Sequence, residues 1–260
     1  MTNRISDRPG DLHMIQLTFE PRKLVELGRM LHLPLRQADT GYLVHCALGE
    51  LFQQNAPSPY WIEDEGREVR VLAYSELAMA QLHELASAYA SPTVYQTVQW
   101  SRSHSKPMPS VFPAGTRLGF EVRAAPTVRL GSAISVAGRP PLKKGAEVDV
   151  FLARQLRQPE EQLEREPIYE SWLTDRLDAT ESLDVDAIKM KRFMLSKMLR
   201  RSKHVSEKTG RRKAHTITLP DVTFEGALTV KNDEQFRKLL AQGLGRHKAF
   251  GFGMIKLRRL

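Results

Sequence analysis

The chain has 260 residues, a single cysteine and a formal net charge of +9, with a pI near 9.7. That length supports a sizeable core in one or two domains. One cysteine excludes an intrachain disulfide and a cysteine-based zinc site, and no run of about 18 apolar residues predicts a membrane-spanning helix.

The opening stretch, M-T-N-R-I-S-D-R-P-G-D, is polar and lacks the apolar core of a signal peptide, so a cytoplasmic location is expected. Residues 1–13 read as a flexible N-terminal tail. Met14 to Phe19 alternates in part and predicts a first strand. Pro21 to Leu33 carries Leu24, Leu27 and Leu31 at helical spacing before Pro34 interrupts. A clearer helix runs from Thr40 to about Gln54, with Asp39 or Thr40 as its cap. Val44, Leu48, Leu51 and Phe52 define its buried stripe, with His45 at the stripe's edge and Tyr42 further out. Tyr42 and His45, three residues apart, are neighbours able to face one cleft. Cys46 on the same helix reads as a packing residue.

Ser58 to Ile62 and Val69 to Tyr74 predict two short strands joined by Glu63-Asp64-Glu65-Gly66. Ser75 to Tyr89 predicts a helix, and Val94 to Trp100 a further strand. The order strand, helix, strand, strand, helix, strand is the ferredoxin-like pattern. Ser101 to Pro113, rich in proline and serine, reads as a linker. Beyond it the spacing predicts a strand over Arg117 to Ala124, a helix over Lys143 to Leu156 and a short strand at Ile168 to Leu173.

Lys189 to Lys213 holds eleven cations against one acid, Glu207. Its first part, I-K-M-K-R-F-M-L-S-K-M-L-R-R, has helical spacing; its second, S-K-H-V-S-E-K-T-G-R-R-K, looks like a mobile loop. Thr216 to Val230 reads as a strand pair or one bent strand around Pro220 and Gly226. A helix over Asn232 to Gln242 and a final strand over about Phe250 to Arg258 complete a second βαββαβ set. The expected class is therefore α+β, with two tandem ferredoxin-like domains and a basic insertion in the second. The boundaries are 14–105 and 106–260.

Three groups of residues carry chemistry. One-signed charge over the basic segment suits phosphates. Lys191, Arg192, Lys197, Arg200, Arg201, Lys203, Arg211, Arg212 and Lys213 are its RNA-binding candidates, with Arg123 and Arg129 nearby and Arg139, Lys143 and Lys144 extending the surface. The final eighteen residues place Gly243, Gly245, Gly251 and Gly253 around Arg246, His247 and Lys248. Such a turn can aim backbone amides at an anion, or can simply lead into a strand. Tyr42 with His45 suits metal-free phosphodiester chemistry. Histidine titrates near neutral pH, and RNA supplies its own nucleophile, the 2′-hydroxyl. No metal is expected: Asp184, Asp186 and Glu63-Asp64-Glu65 read as caps or solvated turns, and His215 and His247 lack ligand-like neighbours in sequence.

Three stretches together resemble one family. They are Gly41 to Phe52 (G-Y-L-V-H-C-A-L-G-E-L-F), Arg117 to Arg129 (R-L-G-F-E-V-R-A-A-P-T-V-R), and F-E-G-A-L-T-V from Phe224 running into G-L-G-R-H-K-A-F-G-F-G-M-I from Gly243. They resemble the CRISPR repeat-RNA endoribonucleases of the type I-E system, the CasE subunits of Cascade. Where that family usually has R-A-N-P, this chain has Arg123-Ala124-Ala125-Pro126. The resemblance implies cofactor-free, metal-independent cleavage of precursor CRISPR RNA at the 3′ base of a repeat hairpin by 2′-hydroxyl attack. It places the family's histidine on His45, as general acid or base, and a tyrosine found in some members on Tyr42. It implies as partners the repeat hairpin RNA and other Cascade subunits, especially the backbone protein at the 3′ end of the guide, and no membrane. Two rival readings are a non-catalytic hairpin-binding subunit and a small-molecule phosphate-binding enzyme using the glycine turn.

Overall fold

The computed structural model describes residues 12–36, 38–136, 139–205 and 212–260, with the backbone alone at 136, 139, 201–205 and 212–214. In chain order the first half holds β1 (His13–Phe19), α1 (Pro21–Met30), α2 (Thr40–Phe52), β2 (Tyr60–Asp64), β3 (Val69–Ser75), α3 (Met79–Tyr89), the single turn α4 (Pro92–Tyr95) and β4 (His104–Pro107). The second half holds β5 (Arg117–Ala124), four short strands β6 (Thr127–Arg129), β7 (Ile134–Val136), β8 (Arg139–Leu142) and β9 (Glu147–Asp149), then α5 (Val150–Arg157) and α6 (Arg165–Asp178). It ends with β10 (Leu183–Val205), β11 (Arg212–Val230), α7 (Asp233–Gln242) and β12 (Ile255–Arg258).

The two large sheets share one topology. Their strand orders are β2-β3-β1-β4 and β10-β11-β5-β12, and every pairing is antiparallel. In each, the first strand lies inside, flanked by the third and the fourth, which is the ferredoxin-like arrangement twice over. Ile15, Leu17 and Phe19 of β1 are fully buried, and they meet Val44, Leu48 and Leu51 of α2 in one cluster. Each such side chain contributes about 1.5–3 kcal/mol by leaving water. Phe120, Val122, Phe224 and Leu228 form the equivalent core with Tyr169, Leu173 and Phe236. Trp61 and Tyr74 of the first half join this second core, and the buried Tyr74 hydroxyl donates to the Ile255 carbonyl at 2.8 Å. The two sheets are therefore packed against each other rather than strung on a linker.

Several elements differ from the sequence reading. The tail expected over 1–13 lies mostly outside the described residues, but His13 already pairs in β1 and Leu12 is buried. The fourth strand of the first sheet is His104–Pro107, inside the expected linker, and not Val94–Trp100. Pro92 opens a helical turn, and the Thr97 hydroxyl closes it on the Val94 carbonyl at 2.6 Å. Val98 is left with a single bridge to Phe19. The helix expected from Lys143 begins only at Val150. Gly145 makes a left-handed turn (φ +81°), Glu147–Asp149 pairs with β6, and Asp149 caps α5 by accepting from the Phe151 amide. Ile168 to Leu173 is helix, because Ile168, Tyr169, Trp172 and Leu173 form one buried helical face.

The largest correction concerns the basic segment. It is neither helix nor loop over its described part but one arm of a long hairpin, β10 against β11. Bulges at Val185/Ala187 and Met190/Arg192 disrupt its period of two. Met190, Met194 and Met198 recur every four residues, a spacing that a helix face and one face of a strand share. Residues 206–211, within the expected mobile loop, lie outside the described residues. β11 is continuous through Pro220, which sits beyond the end of the β5 pairing at Val222, where one edge is open. Finally, β12 begins only at Ile255; residues 248–250 form a 3-10 turn that follows two of the glycines.

Candidate active site

Helix α2 starts where Asp39 caps it. One carboxylate oxygen accepts from the Tyr42 amide at 2.8 Å. The other accepts from the Leu199 amide of β10 at 3.3 Å. The cap of the first half's helix is thus also a hydrogen bond to the hairpin of the second. Leu199 is fully buried beside Leu33 and Tyr42. Tyr42 therefore lies inside, at 6% exposure, and not further out than the stripe as its position on the helical wheel suggested. Its cover comes from the other half of the chain, which a wheel does not represent.

His45 is half-buried one turn on. Its ring lies 6.2 Å from Tyr42, edge to face, and 5.0 Å from Phe250 of the glycine-rich turn. Phe250 in turn stacks on Tyr42 at 6.1 Å, with an interplanar angle of 12°. Burial lowers the His45 pKa below the usual imidazole value. That favours the neutral ring, in which one nitrogen accepts a proton and the other donates one. The structure brings Tyr42 and His45 together as the spacing predicted, and adds Phe250 as a third ring.

The glycine turn is built to deliver Phe250. Gly243, Gly245, Gly251 and Gly253 all have positive φ. A Cβ on Gly253 would fall 2.2 Å from the Leu244 carbonyl oxygen, so the turn closes on its own backbone at a distance only glycine permits. Three of its amides are engaged: Leu244 donates to the Gly253 carbonyl at 2.8 Å, Phe250 to that of His247 at 2.8 Å, and Gly253 to that of Arg123 at 2.7 Å. Across the junction, the Tyr60 hydroxyl donates to the Ala249 carbonyl. A Cβ on Gly41 would lie 3.1 Å from the Phe250 carbonyl, so a glycine of α2 leaves room for this turn.

The turn's charged side chains do not converge on open space. Arg246 pairs with Glu147 at 3.2 Å, and Lys248 donates to the Gln242 carbonyl at 2.6 Å. The His247 side chain is 1% exposed; it meets Glu147 through Nε2 at 2.6 Å and Arg200 through Nδ1 at 2.7 Å. The His247 hydrogen bond, opposed by burial, leaves the Glu147 pKa lowered to about 2.

The basic residues divide by partner. Arg123 makes a two-pronged pair with Asp221 (2.8 and 2.6 Å) and lies over the Phe252 ring. Burial raises the Asp221 pKa, but the Arg123 bonds and charge outweigh it and the net shift is downward. Lys191 reaches Glu121 and Glu225 at 3.2 and 3.4 Å from an exposed position. Arg129, Arg192 and Lys197 are exposed. Arg211 lies outside the described residues, and Arg201, Lys203, Arg212 and Lys213 are placed by backbone alone. Arg192, Lys197 and Arg123 line a cleft of about 620 Å³ between the two sheets, with Lys256 and Phe250. His45 does not line it, but Phe250 touches both.

The acidic residues weighed as metal ligands are otherwise engaged. Asp186 accepts from Thr229 and Arg117, Asp184 pairs with Lys231, and Glu63 and Glu65 face Arg70. Among the described residues no group of three or more His, Cys, Asp or Glu side chains is close enough to hold a metal ion. No helix among them is long and apolar enough to cross a membrane.

Residues 12–259 match the family model described as CRISPR associated protein. The chain belongs to that family. Solved structures place it further by fold. A CRISPR endoribonuclease Cse3 bound to 19-nucleotide RNA superposes with a TM-score of 0.60 at 18% identity, covering 95% of this chain and 99% of its own. Cse3 of Thermus thermophilus, bound to an RNA representing a pre-cleavage complex, gives 0.55 at 16%, with coverage of 95% and 99%. Cas6e of Escherichia coli K-12 gives 0.54 at 18%, with coverage of 96% and 100%. No curated protein matches the sequence. At these identities the CRISPR-associated relatives share the duplicated ferredoxin-like fold along the whole chain.

Asp39 was legible as a cap, but its second bond to β10 was not. Glu147, Asp221, Leu199 and Phe250 went unnoticed as members of the site. Glu147 meets His247 from 100 positions away, so no local spacing signals the pair.

Proposed function

We propose that this CRISPR-associated chain is a metal-independent endoribonuclease that cuts precursor CRISPR RNA at the 3′ base of its repeat hairpins. It then stays on the product as a Cascade subunit, next to the backbone protein at the guide's 3′ end, in the cytoplasm. The unit that carries the catalytic helix runs from 14 through the end of β4 at Pro107 rather than stopping at 105, and the rest of the chain is the unit that carries the RNA-binding hairpin and the glycine turn. The observation that supports this most is His45 itself. It is half-buried in a setting that favours the neutral ring, and it lies against Tyr42 and Phe250 where the helix of one half meets the basic hairpin of the other.

The chemistry is an in-line transfer within the RNA. The 2′-oxygen attacks the adjacent phosphorus and loses its proton, the P–O5′ bond breaks, and the 5′-oxygen takes a proton. The products are a 2′,3′-cyclic phosphate and a 5′-hydroxyl. A neutral imidazole serves as base toward the 2′-hydroxyl or, once protonated, as acid toward the 5′-oxygen, a contribution of typically 10²–10⁴-fold. Tyr42, being buried, acts by fixing the His45 ring. The exposed cations Arg129, Arg192 and Lys197 hold phosphates, with Arg201, Lys203, Arg211, Arg212 and Lys213 continuing the same basic stretch.

Cleavage of a labelled repeat hairpin in excess EDTA tests the reading, with either ribose or 2′-deoxyribose at the scissile nucleotide. The ribose RNA is cut, and the deoxy RNA is bound but intact. Binding of both without cleavage leaves a hairpin-binding subunit instead.

A further inference from the structure

We propose that His247 is a positioning residue that ties the basic hairpin to the catalytic histidine, through Arg200 on one side and Phe250 on the other. The inference rests on the endoribonuclease reading for its kinetics, but its geometry stands alone.

A guanidinium only donates hydrogen bonds. At 2.7 Å from Arg200, the Nδ1 of His247 must therefore accept. The ring proton then sits on Nε2, which donates to Glu147 at 2.6 Å. The Glu147 carboxylate also accepts from the Thr127 hydroxyl at 3.0 Å and faces Arg246 at 3.2 Å. His247 is thus an oriented bridge between β10 and the first residue of β9, with its side chain sealed from water. Its backbone is left-handed (φ +63°), a conformation that a non-glycine residue adopts at a cost. Its carbonyl accepts from the Phe250 amide and so closes the turn that puts Phe250 on His45. The side-chain bridge pins one end of that turn, and the Phe250 ring is the other.

Arg200 follows Leu199 directly. Leu199 packs on Tyr42 and donates its amide to Asp39, the cap of α2. Two consecutive residues of the hairpin thus hold both walls around His45: Leu199 the helix, Arg200 the turn. RNA seated on the hairpin is thereby brought to the His45 ring in a set position. A buried histidine that only filled space would need neither a donor-only partner on one nitrogen nor a carboxylate on the other.

The test uses the full chain. His247→Leu removes both hydrogen bonds, while His247→Gln supplies an amide N–H for Glu147 and an amide oxygen for Arg200. With His247→Leu, single-turnover cleavage falls at least 10-fold while hairpin affinity stays within about 2-fold, and with His247→Gln cleavage recovers to within about 3-fold of wild type. Glu147→Ala cuts the bridge from its other end and gives the same split, so it serves if His247→Leu does not fold. A second readout needs no activity: the His45 ring protons, shifted by the Phe250 ring current, move in His247→Leu and return in His247→Gln. Unchanged His45 resonances overturn the proposal even if the protein proves not to cut RNA. Equal losses of affinity and cleavage overturn it too, by making His247 an RNA contact or a plain fold residue.

Discussion

At the scale of single residues, His45 has one property that kinetics can read. Burial lowers its pKa, so it is protonated only under more acidic conditions than an ordinary imidazole. As a base it works when neutral, and the single-turnover rate should rise with pH through a midpoint below about 6.5, the unperturbed histidine value. A midpoint at or above that value would show another group in control. His45→Ala should lower cleavage by roughly 10²–10⁴-fold with hairpin affinity unchanged, as measured by single-turnover cleavage and filter binding. Glu147 gives a stability signature with the opposite charge logic. Its carboxyl pKa is lowered to about 2 in the fold. Its contribution is complete above the unfolded carboxylate range and is lost as pH falls from there toward 2. Glu147→Gln should therefore flatten the fall in Tm over that acid window; an unchanged slope would mean the His247 bond does not persist in solution. The pair Tyr42 and His45 was legible because both lie on one helix, three residues apart. Phe250 and Glu147 were not, because they come from turns far along the chain, where nothing local marks a partner.

The elements tell the same story one level up. Strands that alternate cleanly, such as Arg117–Ala124, were read to the residue, since their burial follows a period of two. β10 was misread because its bulges interrupt that period and the four-residue recurrence of its methionines fits a helix as well as a strand, and β4 because a strand of four mostly exposed residues has no pattern at all. The glycines of the last turn were visible as a motif, but their reason was not. Gly253 is set by the Leu244 carbonyl, and Gly226 of β11 by the Ala187 carbonyl, 2.0 Å from where its Cβ would stand. Ala187 belongs to the first bulge of β10, so Gly226 accommodates the very irregularity that hid the strand. Gly253→Ala combines a clash with a left-handed φ of +82°. It should cost about 1–3 kcal/mol. For a chain of this size that is a fall in Tm of roughly 2–12 °C. Gly66→Ala also has positive φ but meets nothing within 4 Å, so it separates backbone strain from close approach. If the two variants melt alike, the Leu244 contact contributes nothing.

Over the whole molecule, a net charge of +9 does not by itself make an RNA surface, because the structure spends many of its cations internally. Arg123 is held by Asp221, Arg200 by His247, and Lys256 by Glu121. What remains for a polyanion is set by which cations stay exposed, and on the described part of the hairpin these are Lys189, Arg192 and Lys197, beside Lys191, whose two carboxylate partners compete with phosphate. Each phosphate contact released on mutation should lower the slope of log affinity against log salt by roughly 0.7–0.9. Arg192→Ala with Lys197→Ala should therefore reduce that slope by about 1.5, with the affinity gap to wild type wide at low salt and narrow at high salt. Lys191→Ala should change the slope less than either of these substitutions alone, since Glu121 and Glu225 already answer much of its charge. Hairpin binding titrated at several salt concentrations measures both slopes. A double variant with an unchanged slope would place the RNA away from this arm of β10, and the path from hairpin to His45 would then have to start elsewhere on the chain.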